Sequence, residues 1–455
     1  EVESERTNIM KHSEPATCFP PAVTLASSWD RDLVEQVGAA IADEAKEQGQ
    51  STVLGPGINI KRSPLCGRNF EYFSEDPFVA GEMGGAWVRG VQRNGIGVSL
   101  KHFCANNQER LRMTIDSIVD ERALREIYLA AFESIVKKEQ PTTVMCSYNR
   151  LNGTYLSDNK RLLTDILRDE WGFKGIVVSD WGAVNDRVEG IKAGLDLEMP
   201  GNGGQNDKNI IKAAKEGRLD EKDLDKVVLR MIKFAFECKE KEVPGHKADY
   251  ESHHALSRKA AESGAVLLKN EGKLLPLKED EKITVIGKLA EVMRYQGAGS
   301  SRINPTKLTP FLKALEQEGK DFEFAEGYTL KGDGYNTGLI KKAVKLAQGK
   351  DKVVVFIGLT DSYESEGFDR THLNLPDGQI LLLNELKKVN ENIIVVLHGG
   401  SPVRVSTWAD CAKSILNVYL PGQAGGEATL NLLLGRVNPS GKLAETYPPR
   451  LESNV

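Results

Sequence analysis

Cysteine is scarce and scattered. The six thiols (Cys18, Cys66, Cys104, Cys146, Cys238 and Cys411) include no CxxC pair, so neither a zinc knuckle nor a dithiol redox motif is written into the chain. Isolated thiols in 455 residues are the pattern of reduced, packed side chains, and a cytoplasmic setting is the expectation. No apolar run approaches the roughly 18 residues of a membrane-spanning helix. The mostly polar first 14 residues do not form a signal peptide, and the chain does not begin with Met, so the expectation is that an upstream segment has been removed or that the N-terminus is incomplete. There is no run of six like charges, no Walker-type phosphate loop and no strand leading into a GxGxxG turn. A net charge of −5 supplies no concentrated basic surface for nucleic acid or an anionic membrane. No His/Cys/Asp group has metal-ligand spacing, so no metal and no cofactor is expected. His253 and His254 open a predicted helix, where adjacent residues do not share a face, and read as structural.

What is present is ordinary for a globular protein, 40% hydrophobic and 27% charged. Its organisation is a repeated unit: a short apolar strand, a polar residue at the strand's end, then a helix pattern. In the first half the strands are STVLGPG from Ser51, GVSLKHF from Gly97, TTVMCSYN from Thr142, GIVVSDW from Gly175 and GLDLEMPG from Gly194. One helix pattern follows Asp30, with Leu33, Val34, Val37, Ile41 and Ala45 on a face. Another follows Asp120, with Leu124, Ile127, Tyr128, Ala131, Phe132, Ile135 and Val136 on a face. Asp is a good N-cap, and strands alternating with helices indicate a parallel sheet. The pattern lapses at CKEKEVPGHKAD, from Cys238 to Asp249, a charged stretch with Pro and Gly that reads as a linker. Longer apolar strands then resume: KITVIG from Lys282, KVVVFIGL from Lys352, NIIVVLHGG from Asn392 and SILNVYLPG from Ser414. The expectation is an α/β domain with a parallel sheet over 1–238, a linker over 239–252, and a second α/β domain over 253–455 with its own sheet buried on both faces.

In such folds function gathers at the carboxyl ends of the strands. Those ends carry Lys101 and His102, then Tyr148 and Asn149, then Asp180 and Trp181. The loop after VLGPG carries Arg68, Asn69, Glu71, Glu75 and Asp76, and the segment after His102 adds Glu109, Arg110 and Arg112. Taken singly, Asp180 reads equally as a cap for the helix that follows it. Several such ends converging on one barrel mouth suit a ligand rich in hydroxyl groups. In the second half, KVVVFIGL runs into a polar loop holding Glu364, Glu366, Asp369 and Arg370. A solvated acidic loop and a mount for a catalytic acid are both open readings. A carboxylate in each domain matches the machinery of glycoside hydrolysis, in which one attacks or activates water and the other protonates the leaving oxygen.

Five blocks sharpen this: SPLCGRNFEYFSEDP (63–77), KHFCANNQE (101–109), VMCSYNRLNG (144–153), GIVVSDWGAV (175–184) with AGLDLEMPG (193–201), and ESEGFDRTHLNLP (364–376). In this order and spacing the chain resembles the family-3 glycoside hydrolases, their β-glucosidase branch in particular, over nearly its whole length. LLKNEGKLLPL and GAGSSRINP add support. The resemblance implies a (β/α)8-like TIM barrel followed by an α/β sandwich domain, with the active site between them. It implies a retaining mechanism through a covalent glycosyl-enzyme, on terminal non-reducing β-D-glucosyl residues of a β-glucoside or short β-linked oligosaccharide. Asp180 would be the nucleophile and Glu366, the Glu before Gly, the acid/base, with Glu364 as the fallback. Arg68, Lys101, His102, Arg112 and Tyr148 match sugar-binding positions; Trp181 would wall the cleavage subsite and Ser300 would reach in from the second domain. Retaining chemistry asks for carboxyl groups about 5–5.5 Å apart. Lys101 and Arg68 would keep a nearby Asp ionised and donate to hydroxyls. Neither nucleic acid nor membrane is implied as a partner, and a homodimer is compatible with the pattern.

The chain departs from the family's pattern at three places. A DGPxG segment normally precedes the region matched by EPATCFP (14–20), and its Asp grips the far hydroxyls. Many relatives carry a fibronectin-like domain after the region matched by SGKLAETYP (440–448). No lectin-like insertion separates GAGSSRINP from VVVFIGL. The expectation is the central part of a longer enzyme, or one polypeptide of a divided one. The N-acetylglucosaminidase branch usually has KHFPGHG and draws its acid from the barrel, so KHFCANNQE argues against it. β-Xylosidase and an inactive sugar-binding chain remain the alternatives.

Overall fold

The computed structural model describes residues 13–453. They form two compact units, neither continuous in sequence: one comprises 31–60 and 72–248, the other 13–30, 61–71 and 249–453.

The first unit is TIM-barrel-like. Four parallel strands lie side by side in chain order: β1 (Thr52–Val53), β2 (Gly97–Phe103), β3 (Thr143–Cys146) and β4 (Ile176–Ser179). Helices Pro77–Arg93 and Ala130–Glu139 and the π-helix Arg161–Glu170 make the crossovers. Every residue of β3 and β4 is buried, which is why these strands read as near-continuous apolar runs rather than as alternations. The helix expected after Asp30 spans Arg31–Glu47, with Leu33, Val34, Val37 and Ala45 buried.

The helix expected after Asp120 begins as read, with Asp120 accepting the Ala123 N–H at 3.0 Å. Its apolar face is not continuous, however. A π-turn over Leu124–Tyr128 is closed by Leu129 N–H donating to Leu124 O at 2.8 Å. The extra residue moves the buried position from 128 to Leu129 and turns Ile127 outward, at 39% exposure, because a five-residue step rotates the stripe past the α-helical repeat. The fifth expected strand, GLDLEMPG, is reduced to a single bridge between Val178 and Leu197. Here a side chain replaces the ladder: Asp196 Oδ2 accepts the Val177 N–H at 2.7 Å.

Asp196 is an unforeseen hub. Its side chain is fully buried. Oδ2 also accepts from Arg168 Nη2 at 2.6 Å and Oδ1 from Arg230 Nε at 2.6 Å. Burial pulls the Arg168 guanidinium down to about 10, against the pull of Asp196. The charged linker is likewise held: His246 Nε2 lies 2.7 Å from Asp43 Oδ1, and Glu47 takes Lys247 Nζ at 2.8 Å and the Ala248 N–H at 2.9 Å.

The second unit is a six-stranded sheet between helices. Its strands are β5 (Val266–Asn270), β6 (Ile283–Ile286), β7 (Phe322–Ala325), β8 (Val353–Gly358), β9 (Ile393–His398) and β10 (Ser414–Tyr419), in the spatial order β7-β6-β8-β9-β10-β5. All neighbours are parallel except β10 and β5. The four strands read from sequence are β6, β8, β9 and β10; the last three are buried at every residue. Edge strands β7 and β5 are only partly covered, and their weaker apolar signal hid them. Residues 61–71 belong to this unit through the buried ion pair Lys61–Glu445, 2.9 Å, and through Phe70, which packs against Gly297 and Gly400. His253 and His254 are both buried here, and His254 lies between Glu427 and Gln423, 3.0 Å from each.

Replacing Asp196 by Ala removes the buried acceptor of Arg168, the half-buried Arg230 and the Val177 N–H. The expected cost is about 3–5 kcal/mol, read as a lowered denaturation midpoint, with Asp196→Asn losing less because it keeps an acceptor for Val177.

Candidate active site

The polar strand ends of the first unit assemble as the carboxyl-end rule requires. Pairing between β2 and β3 shifts between Leu100 and Phe103, so Lys101 and His102 occupy an irregularity of the kind that re-aims side chains at a barrel rim. His102 is buried and tightly held. Its N–H donates to Asn59 Oδ1 at 2.7 Å, its carbonyl accepts from Asn59 Nδ2 at 3.0 Å, and Tyr72 Oη stands 3.3 Å from Nδ1. The other ring nitrogen, Nε2, faces Asp180 Oδ2 at 3.6 Å. Neither Asn59 nor Tyr72 stood out in the sequence. Asn59 was findable by the same rule, two residues past VLGPG at the end of β1.

Asp180 lies at the end of β4, with its N–H on Cys146 O at 3.2 Å. It is 7% exposed. Oδ1 accepts the Trp181 N–H at 2.8 Å, and Oδ2 accepts no hydrogen bond from a described residue. The helix-cap reading fails, because the next helix, Arg187–Ala193, is capped by Asp186, whose Oδ1 takes the Val188 and Glu189 N–H groups at 2.8 and 3.1 Å. Asp180 therefore has no structural task at a helix terminus, and a buried carboxylate oxygen left unmatched is costly unless a function keeps it there. Beneath it, burial with the added charge of Asp180 pushes the Cys146 thiol up to about 12, so that sulfur stays protonated near neutrality and does not compete as a nucleophile.

Arg112 and Tyr148 also meet. Buried Glu109 holds Arg112 Nη1 at 2.7 Å, and the guanidinium lies over the Tyr148 ring, 4.7 Å from its centroid. That is a cation–π stack locked by an ion pair. Trp181 is 45% exposed, an indole face open to a flat ligand. Lys101 is half-buried on β2, its backbone bridged to Gly57. Nearby Asp76 is only the cap of helix Pro77–Arg93, accepting Phe78 and Val79 N–H at 2.7 and 3.1 Å.

The other three candidates, Arg68, Ser300 and Glu366, are in the second unit. Its strand order reverses between β6 and β8, a topological switch point where ligand crevices form in parallel sheets. The segment after β6 carries Ser300 and the loop after β8 carries Glu364 and Glu366. The same two segments line a groove with Arg294, Arg302 and Asp361. Ser300 N–H donates to Glu366 Oε2 at 2.7 Å.

The two glutamates divide sharply. Glu364 is 1% exposed; its oxygens accept Gly400 N–H at 2.7 Å and Ser401 Oγ at 2.9 Å, with Arg294 Nη2 at 3.7 Å. It ties two loops together. Glu366 is half-buried, which leaves it accessible to a ligand. Arg68 is buried and bidentate to Glu71, with Nε and Nη2 each at 2.8 Å. Arg370 Nη1 donates to Ser401 Oγ at 3.0 Å and Pro402 O at 2.6 Å, and burial lowers the Arg370 pKa to about 10. Among the described residues no His/Cys/Asp/Glu group could hold a metal ion, and no helix is long and apolar enough to cross a membrane.

Glu364→Ala leaves the Gly400 N–H and the Ser401 hydroxyl without their acceptor in the interior. It is expected to lower unfolding free energy by about 2–4 kcal/mol. Glu366→Ala, at a half-exposed position, is expected to cost under about 1 kcal/mol. Denaturant titrations of the two variants give the comparison; equal losses would assign Glu366 a structural role as well.

Comparison with known proteins agrees across both halves. Residues 2–234 match the glycosyl hydrolase family 3 N-terminal domain and 265–455 its C-terminal domain. Thermostable β-glucosidase B of Acetivibrio thermocellus is 53% identical over 448 residues, covering 98% of this chain and 59% of that protein. An exo-α-(1→6)-L-arabinopyranosidase of Bifidobacterium breve is 47% identical over 446 residues, covering 96% and 59%. The crystal structure of a family-3 β-glucosidase from Bifidobacterium adolescentis superposes with a TM-score of 0.94 at 48% identity, covering 97% of this chain and 65% of the other. β-Glucosidase 3B of Thermotoga neapolitana, solved with glucose, gives 0.89 at 38% identity, covering 97% and 66%. The chain thus spans about three fifths of the length of these curated relatives. With the barrel half and the sandwich half each matched in order, the chain belongs to glycosyl hydrolase family 3.

Proposed function

We propose that this chain carries the catalytic machinery of a retaining β-glucosidase that removes terminal non-reducing β-D-glucosyl residues from β-glucosides or short β-linked oligosaccharides. The observation that carries the reading is Asp180: a buried carboxylate at a barrel strand end, relieved of capping by Asp186 and with Oδ2 unmatched. In the first step Asp180 attacks the anomeric carbon while the bond from that carbon to the leaving oxygen breaks. Glu366, protonated, delivers its proton to that oxygen, and a glycosyl ester of Asp180 forms. In the second step the Glu366 carboxylate takes a proton from water, the water oxygen attacks the anomeric carbon, and the ester bond breaks. Asp180 is regenerated as a carboxylate and Glu366 as an acid. The Ser300 N–H on Glu366 Oε2 at 2.7 Å orients the carboxyl that carries the proton. Arg68, Lys101, His102, Arg112 and Tyr148 are assigned to sugar hydroxyls, and Trp181 to the apolar face of the pyranose ring. The substrate itself is the only partner proposed.

A second reading keeps the residues and changes the sugar. The arabinopyranosidase relative at 47% identity favours α-L-arabinopyranosides, whose ring lacks the exocyclic hydroxymethyl group. A panel of nitrophenyl β-glucoside, β-xyloside and α-L-arabinopyranoside separates these, with kcat/KM expected to be highest for glucoside. Glucose binding by calorimetry without turnover of any substrate would instead make the chain a sugar-binding one.

A 2-fluoro-glucoside with a good leaving group is expected to add one glycosyl unit, located by peptide mass spectrometry on the segment holding Asp180. Label elsewhere overturns the nucleophile assignment. Glu366→Ala is expected to lose about 10²–10⁴-fold on poor leaving groups and to regain rate with added azide; the same behaviour in Glu364→Ala would transfer the acid/base role to that residue.

A further inference from the structure

Glu366 sits in a tight reversal. Ser365 and Phe368 pair as an antiparallel bridge, with Gly367 in the left-handed region at φ +100°. The second unit holds this reversal from two sides. On one, Ala298 O accepts the Glu366 N–H at 3.3 Å and the Ser300 N–H reaches its carboxylate at 2.7 Å. On the other stands Leu65–Gly67: Leu65 O accepts the Arg370 N–H at 2.8 Å, and the Gly67 N–H donates to Asp369 Oδ1 at 3.0 Å. The fit at Gly67 leaves no room for a side chain. A Cβ there would lie 1.8 Å from Phe368 O and 2.3 Å from Ser365 O, the carbonyls of both bridge residues, where distances below 3.0 Å are not tolerated. Gly67 itself is outside the left-handed region, so its backbone would accept alanine without strain, and the whole effect of a side chain would pass to the Glu366 turn.

We infer that Gly67 is a positioning residue for the proton donor: close approach of its bare backbone sets where the 365–368 reversal lies and so where the Glu366 carboxyl is presented. The inference rests on the reading of Glu366 as acid/base. A methyl group at position 67 forces the reversal or the 61–71 segment back by about 1 Å, a displacement that in a catalytic constellation costs on the order of 10²-fold. Because Arg68 is the next residue, two consequences must be told apart. A displaced Arg68 weakens sugar binding alike for every leaving group. A displaced Glu366 penalises only substrates whose leaving group needs a proton.

The test measures kcat/KM of Gly67→Ala, Asp369→Ala and Glu366→Ala in the full chain on 2,4-dinitrophenyl β-glucoside, which departs without protonation, and on an alkyl β-glucoside, which does not. Gly67→Ala is expected to lose about 10- to 100-fold more on the alkyl glucoside than on the dinitrophenyl one. Asp369→Ala, which loosens the same reversal without adding bulk beside Arg68, is expected to show the same preference to a smaller degree, and it carries the test if Gly67→Ala does not fold. Selective loss in Glu366→Ala with equal losses, or none, in both other variants overturns the positioning role of Gly67. A non-selective Glu366→Ala overturns the acid/base reading instead.

Discussion

A parallel strand buried on both faces has nowhere to put a charge except at its end, and the candidate site follows from that constraint. In β3, β4, β8, β9 and β10 every residue is buried, so the first position where an ionised side chain can be solvated or serve a ligand is the turn beyond the carboxyl end. Asp180 takes that position after β4, and Glu364 and Glu366 take it after β8. The same carboxyl-end loops also lead into helices, whose N-caps absorb Asp76, Asp120 and Asp186.

Neighbours then sort carboxylates that look alike along the chain. Asp196 is enclosed by two guanidinium groups and a strand N–H, Glu364 by a backbone N–H and a hydroxyl, and both are structural because each oxygen is matched. Asp180 differs: Oδ1 is held by the Trp181 N–H at 2.8 Å, and Oδ2 accepts no hydrogen bond from a described residue. One fixed oxygen orients the carboxyl without satisfying it, the state in which a carboxylate is useful to a substrate.

Holding these groups depends on irregular backbone packed tightly rather than on regular elements. The Lys101–His102 irregularity is fixed by Asn59, and the Glu366 reversal is pressed between Ala298–Ser300 and Gly67. Such loops have no hydrophobic face to anchor them, so close contacts and backbone hydrogen bonds do that work.

Along the chain, periodicity and strand-end position were enough to make two α/β halves and to pick Lys101, His102, Tyr148, Asp180 and the acidic loop of Glu364 and Glu366, because burial on both faces writes an apolar run with a polar stop. The motif blocks added the family, which the comparisons show. Three things were settled only by the fold. The segment 61–71 joins the second unit, since Lys61 and Phe70 find partners hundreds of residues away. Edge strands β5 and β7 emerge because half-covered strands carry no distinctive pattern. That Asp180 caps no helix, and that Glu364 is enclosed, follow from which donors the tertiary structure brings to each oxygen. A sequence determines which side chains can be charged and where along a strand they stand; only packing between distant segments decides which of those charges are already answered.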